Sequence, residues 1–209
     1  MELDYSTLCH IFDYRNAAAS YEISKSGMYL LSHLSGSFVE KIENVEGETV
    51  EAHLVGSNVR RSPALRLVDQ SQRRIFYADN DNLLCCSMFQ QTAKRWENVP
   101  LSPLSVHPHG KLSGAFQEDG DQLVFFENRQ SQISTIRVKN GDTGNYQEFP
   151  SPPVKLMPTA SHRVLVGLEG GKDLHFFYVH RDGKIHRSRI QNYLDPTGTW
   201  EGMSKFLFV

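Results

Sequence analysis

The stretch HFFYVHRDGKIHRSRI, residues 175–190, decides how the rest of the chain reads. An apolar run opens it, an Asp-Gly pair interrupts it, and a second run follows, so it reads as strand, tight turn, strand. The arrangement recurs. RIFYADNDNLLCCSMF (74–89) and LVFFENRQSQISTIRV (123–138) superpose on it without a gap. Each has an aromatic pair at its third and fourth places: Phe76-Tyr77, Phe125-Phe126 and Phe177-Tyr178. A weaker copy, ASYEISKSGMYLLSHL, stands at 19–34. The four copies start at residues 19, 74, 123 and 175, a period near 50. Several short strands in each such unit are the sequence sign of a β-propeller.

The flanks agree. A candidate strand precedes each hairpin: LCHIFDY (8–14), ALRLVDQ (64–70), LSGAFQE (112–118) and HRVLVGLE (162–169). Another follows each: FVEKIENV (38–45), RWENVPL (95–101), YQEFPS (146–151) and TWEGMSKFLFV (199–209). Helical periodicity is scarce, and the proline-containing segments VRRSPA, PLSVHPHGK and SPPVKLMPT fall where links between units are needed. The expectation is an all-β protein, a β-propeller of four-stranded antiparallel blades with about four blades in this chain. It is read as one domain over 1–209, with blades near 5–55, 60–105, 110–153 and 158–209. A β-sandwich with evenly spaced strands is the alternative, but it does not explain an aromatic pair and a turn recurring in register.

With 209 residues, 39% hydrophobic and 22% charged, the chain suits a globular protein. A net charge of −2 gives no electrostatic reason to expect nucleic acid or an anionic membrane as partner. No run reaches the roughly 18 apolar residues that span a bilayer. The N-terminus lacks a basic start followed by an apolar core, and a cytoplasmic location is the expectation. Three cysteines make no disulfide framework, and Cys85 and Cys86, adjacent in a strand, point to opposite faces.

The repeat resembles the fungal fucose-specific lectins. In that family's six-bladed propellers each blade carries an arginine opening a strand like RVYYQD, then DG, an Ile and a Glu, with a tryptophan in the outer strand. The resemblance implies that the arginine and glutamate bind sugar hydroxyls while aromatic rings cover the sugar's apolar face. Carried over, the arginine place holds Ala19, Arg74, Leu123 and His175, and the glutamate place holds Leu31, Cys86, Thr135 and Arg187. No unit keeps both residues. The outer-strand tryptophans are Trp96 and Trp200. Arg74 with Trp96 reads as the best remnant site, and the fourth unit offers His175, Arg187 and Trp200.

The first functional expectation is a ligand-binding propeller that recognises a glycan or another small ligand through degenerate sites at Arg74, Trp96, His175, Arg187 and Trp200. Similar lectin-like propellers occur among fungal secondary-metabolism proteins. An enzyme guiding a cyclisation of hetero-Diels–Alder type without metal is therefore the second, and a protein-interaction scaffold the third. His10, Tyr14, Arg66, Asp69, Gln117, Glu118 and Arg163, on the first strand of each unit or at its end, are candidates to line a central channel. His107 and His109 form an H-x-H pair on a proline-rich link and read as solvated rather than metal-binding. No cofactor is expected. The expected partners are a glycan or small molecule and a second copy of the chain in a homo-oligomer, since an unclosed set of blades leaves edges and faces exposed.

Overall fold

A computed structural model describes the backbone of residues 11–14, 17–24, 27–34, 36–43, 49–59, 65–68, 73–117, 120–139, 145–154, 162–166, 173–179, 184–193, 195 and 197–205. Side chains are described at 36–41, 51–59, 65, 73–115, 117, 120–139, 145–154, 173–179, 184–193, 195 and 197–201. Among these residues the regular elements are all strands. The chain divides into two compact units, 1–104 and 105–209, each built from two antiparallel sheets.

In the first unit, the first sheet runs β1 (Ile11–Tyr14), β2 (Ala17–Ser24), β3 (Gly27–Leu34), β4 (Ser37–Glu43), β5 (Thr49–Gly56), in chain order. The second sheet is β6 (Leu65–Val68), β7 (Arg73–Ala78), β8 (Leu84–Gln90), β9 (Arg95–Val99). In the second unit, the third sheet is β10 (Leu112–Phe116), β11 (Gln122–Glu127), β12 (Ile133–Val138), β13 (Tyr146–Phe149). The fourth is β14 (His162–Val166), β15 (Leu174–Val179), β16 (Ile185–Ile190), β17 (Trp200–Lys205). Every strand pairs with its sequence neighbour, as short polar turns dictate. All six residues of β7 and of β11 are buried, so both faces of these strands are covered.

The turns show the repeat at the level of single hydrogen bonds. Asp79 Oδ1 accepts the N–H groups of Asp81 at 2.9 Å and Leu83 at 2.8 Å. Forty-nine residues on, Asn128 Oδ1 accepts those of Gln130 at 2.9 Å and Gln132 at 3.1 Å. These Asx turns end on a left-handed residue, Asn82 (φ 61°) and Ser131 (φ 57°). Two residues later a buried apolar side chain enters the core, Leu84 and Ile133. Two beyond those lie Cys86 and Thr135.

The first sheet repeats this pattern one hairpin later than the aromatic alignment placed it. The left-handed residue there is Gly36 (φ 80°), followed by buried Phe38 and then Glu40. The repeating hairpin is therefore β3–β4, not the 19–34 segment. FVEKIENV supplies its second strand, β5 takes the place of the outer strand, and β1 is the additional strand of this sheet. Two Ser-Gly pairs, at 26–27 and 35–36, compete as the turn, and without an aromatic pair nothing local selects between them. Cys86 pairs with Phe76, two residues after Arg74, and Glu40 pairs with Leu31, two after Tyr29. Register thus moves the glutamate place from Leu31 to Glu40 and the arginine place from Ala19 to Tyr29.

Each unit has its own core. In the first, Phe38, Val55 and Val59 meet Ile75, Tyr77 and Trp96. In the second, Leu123, Phe125, Ile133 and Phe149 meet Leu174, Phe176, Tyr178 and Ile190. Gly56, at the end of β5, lies under Tyr77: a Cβ there would stand 2.7 Å from Tyr77 Cζ. The ring is held edge-on to Phe38 at 5.7 Å, and its hydroxyl reaches Ser87 and Asn98 at 3.3 Å. Gly56→Ala is expected to cost about 1–3 kcal/mol through this overpacking, read as a lower urea midpoint with an unchanged slope.

Candidate functional site

The glutamate place of the first sheet faces the second sheet. Glu40, on β4, is fully buried, and two side chains of the second sheet converge on its Oε2. Arg73 Nη2 donates one hydrogen bond to it, and Trp96 Nε1 donates another at 3.1 Å. Alternation along β7 puts Arg73, Ile75 and Tyr77 on one face and Arg74 and Phe76 on the other. Phe89 and Trp96 are paired across β8–β9, which sets their rings side by side on the Arg73 face. The Arg73 Cζ lies 4.3 Å from the centroid of Phe89 and 5.3 Å from that of Trp96. Phe89 packs edge-to-face on Trp96 at 5.5 Å and on His53 at 5.6 Å. His53 itself is the β5 partner of Glu40.

The result is a carboxylate and a guanidinium in a wall of aromatic rings. Desolvating two charges costs several kcal/mol each, and only good geometry and additional hydrogen bonds repay it. Here the indole N–H supplies one such bond, and two ring faces supply cation–π attraction. The same groups are those that recognise polyols: charged donors and acceptors for hydroxyls, aromatic faces for C–H patches.

The structure does not bring Arg74 and Trp96 together. Arg74 is fully buried on the opposite face of the second sheet, the face of Phe76 and Cys86. Burial pushes the Cys86 thiol up to about 12, with the positive charge of Arg74 opposing. Burial, with the negative charge of Asp79, pushes Cys85 up to about 11. Both thiols hold their protons more tightly folded than unfolded. Their contribution to stability is intact at neutral pH and is lost as pH rises from 9.0 through about 11 and 12. Alkylation of Cys85 at pH 8 is expected to be about a hundredfold slower in the native than in the unfolded chain, and Cys86 slower still, as peptide mass mapping after timed iodoacetamide treatment would show.

In the second unit the corresponding place carries no charge. Thr135 takes the glutamate place, and Ser151 Oγ donates to its hydroxyl at 3.1 Å. Leu123, at the arginine place, is a core residue. Trp200 donates from Nε1 to the Pro150 carbonyl at 2.8 Å and meets Phe125 and Phe176 edge-on at 6.2 and 6.3 Å. His175 and Arg187 lie on the other face of the fourth sheet from Trp200, by the register of β15, β16 and β17. His175 is buried and stacks along Phe177 at 6.3 Å, and Phe177 is the register partner of partly exposed Arg187. On this face Arg189 pairs with Asp173 at 2.6 Å, repeating the Arg137–Asp121 pair of the third sheet at 2.6 Å.

Of the channel candidates, Tyr14, Arg66 and Arg163 sit on β1, β6 and β14, where the backbone alone is described. His10, Asp69 and Glu118 lie outside the described residues. Gln117 is buried, and its N–H donates to the Asp121 carbonyl at 2.7 Å. The His109 N–H donates to His107 Nδ1 at 3.2 Å, with the two rings 6.0 Å apart. Among the described residues no three His, Cys, Asp or Glu side chains are grouped to hold a metal ion.

Glu40, Arg73, Phe89 and His53 escape a reading keyed to aromatic pairs. The signal for Glu40 is in the turn: SGSFVE has Gly, an apolar residue two on and a Glu two further, the spacing of DGKIHR.

No family model matches the chain, and no curated protein does. Solved structures do. The SapL1 lectin in complex with alpha methyl fucoside superposes with a TM-score of 0.67 at 12% identity, covering 92% of this chain and 63% of the lectin. AofleA from Arthrobotrys oligospora gives 0.65 at 14%, covering 96% and 60%. A variant of the Aleuria aurantia lectin in complex with Fucα1-6GlcNAc gives 0.60 at 10%, covering 92% and 62%. The chain thus spans between 60% and 63% of the length of these proteins. At these identities the likeness concerns the fold: the chain is a β-propeller of the kind found in fucose-specific lectins, divergent in sequence.

Proposed function

We propose that this chain is a glycan-binding propeller module whose recognition chemistry lies between neighbouring sheets. The observation that carries the reading is the convergence, across 33 and 56 residues of sequence, of Arg73 and Trp96 on Glu40 between the first and second sheets. In this reading the Arg73 guanidinium moves off the rings, the Glu40 carboxylate accepts sugar hydroxyls, and Trp96 and Phe89 cover the apolar face. The propeller likeness to proteins solved with methyl fucoside and Fucα1-6GlcNAc supports a fucose-type ligand as the first to test.

Calorimetric titration of the chain with methyl α-L-fucoside, then L-fucose, D-galactose, D-mannose and N-acetylglucosamine, tests it. At least one sugar is expected to bind, and Glu40→Gln is expected to weaken that binding about 10–100-fold, the equivalent of one charge-assisted hydrogen bond. No heat with any of the five, or binding indifferent to Glu40→Gln, would remove the reading.

A further inference from the structure

The group around Glu40 is already occupied. The Arg73 guanidinium stands over the Phe89 face at 4.3 Å, within 5.3 Å of the Trp96 ring, and pairs with the carboxylate that the Trp96 indole also contacts. His53 packs edge-to-face with Phe89, the ring centroids 5.6 Å apart. Exposure is 0% at Glu40, 7% at Trp96 and 9% at Arg73, so little more than the rim of this cage reaches solvent. A carboxylate at one end and aromatic faces along the wall are what a flat, weakly hydrated cation requires, and a guanidinium is the side-chain group of that description.

We propose that Arg73 is a built-in occupant of a guanidinium-binding cage, and that this site admits an outside ligand only when Arg73 leaves it. The inference deepens the glycan reading, since a sugar would have to displace the Arg73–Glu40 contact, but the cage stands on its own chemistry. A tethered guanidinium is present at high effective concentration, so free cations compete poorly with it in the wild-type chain. Removing the side chain uncovers the receptor.

The experiment compares wild type, Arg73→Ala and Arg73→Met, each with ethylguanidinium, with its neutral isostere ethylurea, and with sodium chloride at equal concentration. Thermal unfolding and Trp emission are the readouts. In Arg73→Ala, ethylguanidinium is expected to raise the melting temperature and shift emission saturably, while ethylurea and salt do neither and wild type responds to none. Adding Glu40→Gln to Arg73→Ala is expected to weaken the response about tenfold or more. Arg73→Met, which keeps most of the side-chain volume without charge, is expected to fold and to remain unresponsive.

If Arg73→Ala does not fold unaided, refolding in ethylguanidinium but not in ethylurea carries the same meaning. Equal responses to ethylguanidinium and ethylurea would overturn the proposal, because the space would then be an apolar cavity. So would no response in Arg73→Ala, whether folded or refolded. Cation rescue without sugar binding would sink the glycan reading alone; sugar binding without cation rescue would sink the cage alone.

Discussion

Arg73→Ala is expected to lower the free energy of unfolding by about 3–5 kcal/mol, because it removes the guanidinium that pairs with the buried Glu40 carboxylate. Glu40 is wholly inaccessible and the Arg73 side chain 10% exposed, so water cannot take over the role of the guanidinium. The protein supplies its own control. Arg95 and Glu97, two residues apart on β9, pair at 2.7 Å with side chains 70% and 40% exposed. Arg95→Ala is expected to cost less than about 1 kcal/mol, since solvent screens such a pair and replaces it readily. Chemical unfolding followed by circular dichroism measures both. Combining Arg73→Met with Glu40→Gln is expected to recover part of the loss, and the non-additivity of that cycle gives the coupling across the two sheets. Equal effects at Arg73 and Arg95 would mean that the buried contact contributes no more than the surface one.

Phe176→Ala is the second large effect, about 3–5 kcal/mol, from lost burial and the cavity left behind. Phe176 is fully buried at the centre of the second unit's core, with Phe125 at 5.4 Å, Tyr178 at 5.7 Å and Trp200 at 6.3 Å. Three ring contacts disappear together, each worth about 0.5–1.5 kcal/mol beyond area alone. Phe176→Leu keeps much of the volume and is expected to cost under about half as much. Because the ring abuts Trp200, the alanine variant is also expected to alter native-state emission, which separates local repacking from a shift in global stability.

How far the sequence reveals this molecule depends on what each residue's role requires. Strand order in the second, third and fourth sheets is legible because the turn, the aromatic pair and the outer strand each have a local cause: an Asx cap at Asp79 and Asn128, a left-handed residue, an apolar residue two on. The first sheet misleads where that local signal thins, and both β5 and the β3–β4 turn have to be settled by pairing. The site is harder. Arg73 and Arg74 are neighbours in sequence on opposite faces of one sheet, and the family pattern selects Arg74 by position. Which of them meets Glu40, 33 residues away, depends on which face of β7 packs against β4, a tertiary fact that spacing does not encode. For the same reason Trp96 meets a residue of the preceding sheet and stands on the opposite face from Arg74.

Fold and site meet at Trp96, whose indole contacts Glu40 at the place where the ligand is proposed to bind. Replacing Trp200 by phenylalanine makes Trp96 the single indole of the chain. Titrating that variant with methyl α-L-fucoside and the other four sugars, with emission as the readout, tests whether a glycan binds at Glu40 and Trp96. A saturable change in Trp96 emission is expected over the range in which calorimetry registers binding, lost in the Glu40→Gln background. Binding heat with unaltered Trp96 emission would place recognition elsewhere, and no response to any sugar by either method would mean that the Glu40 site is not a glycan site.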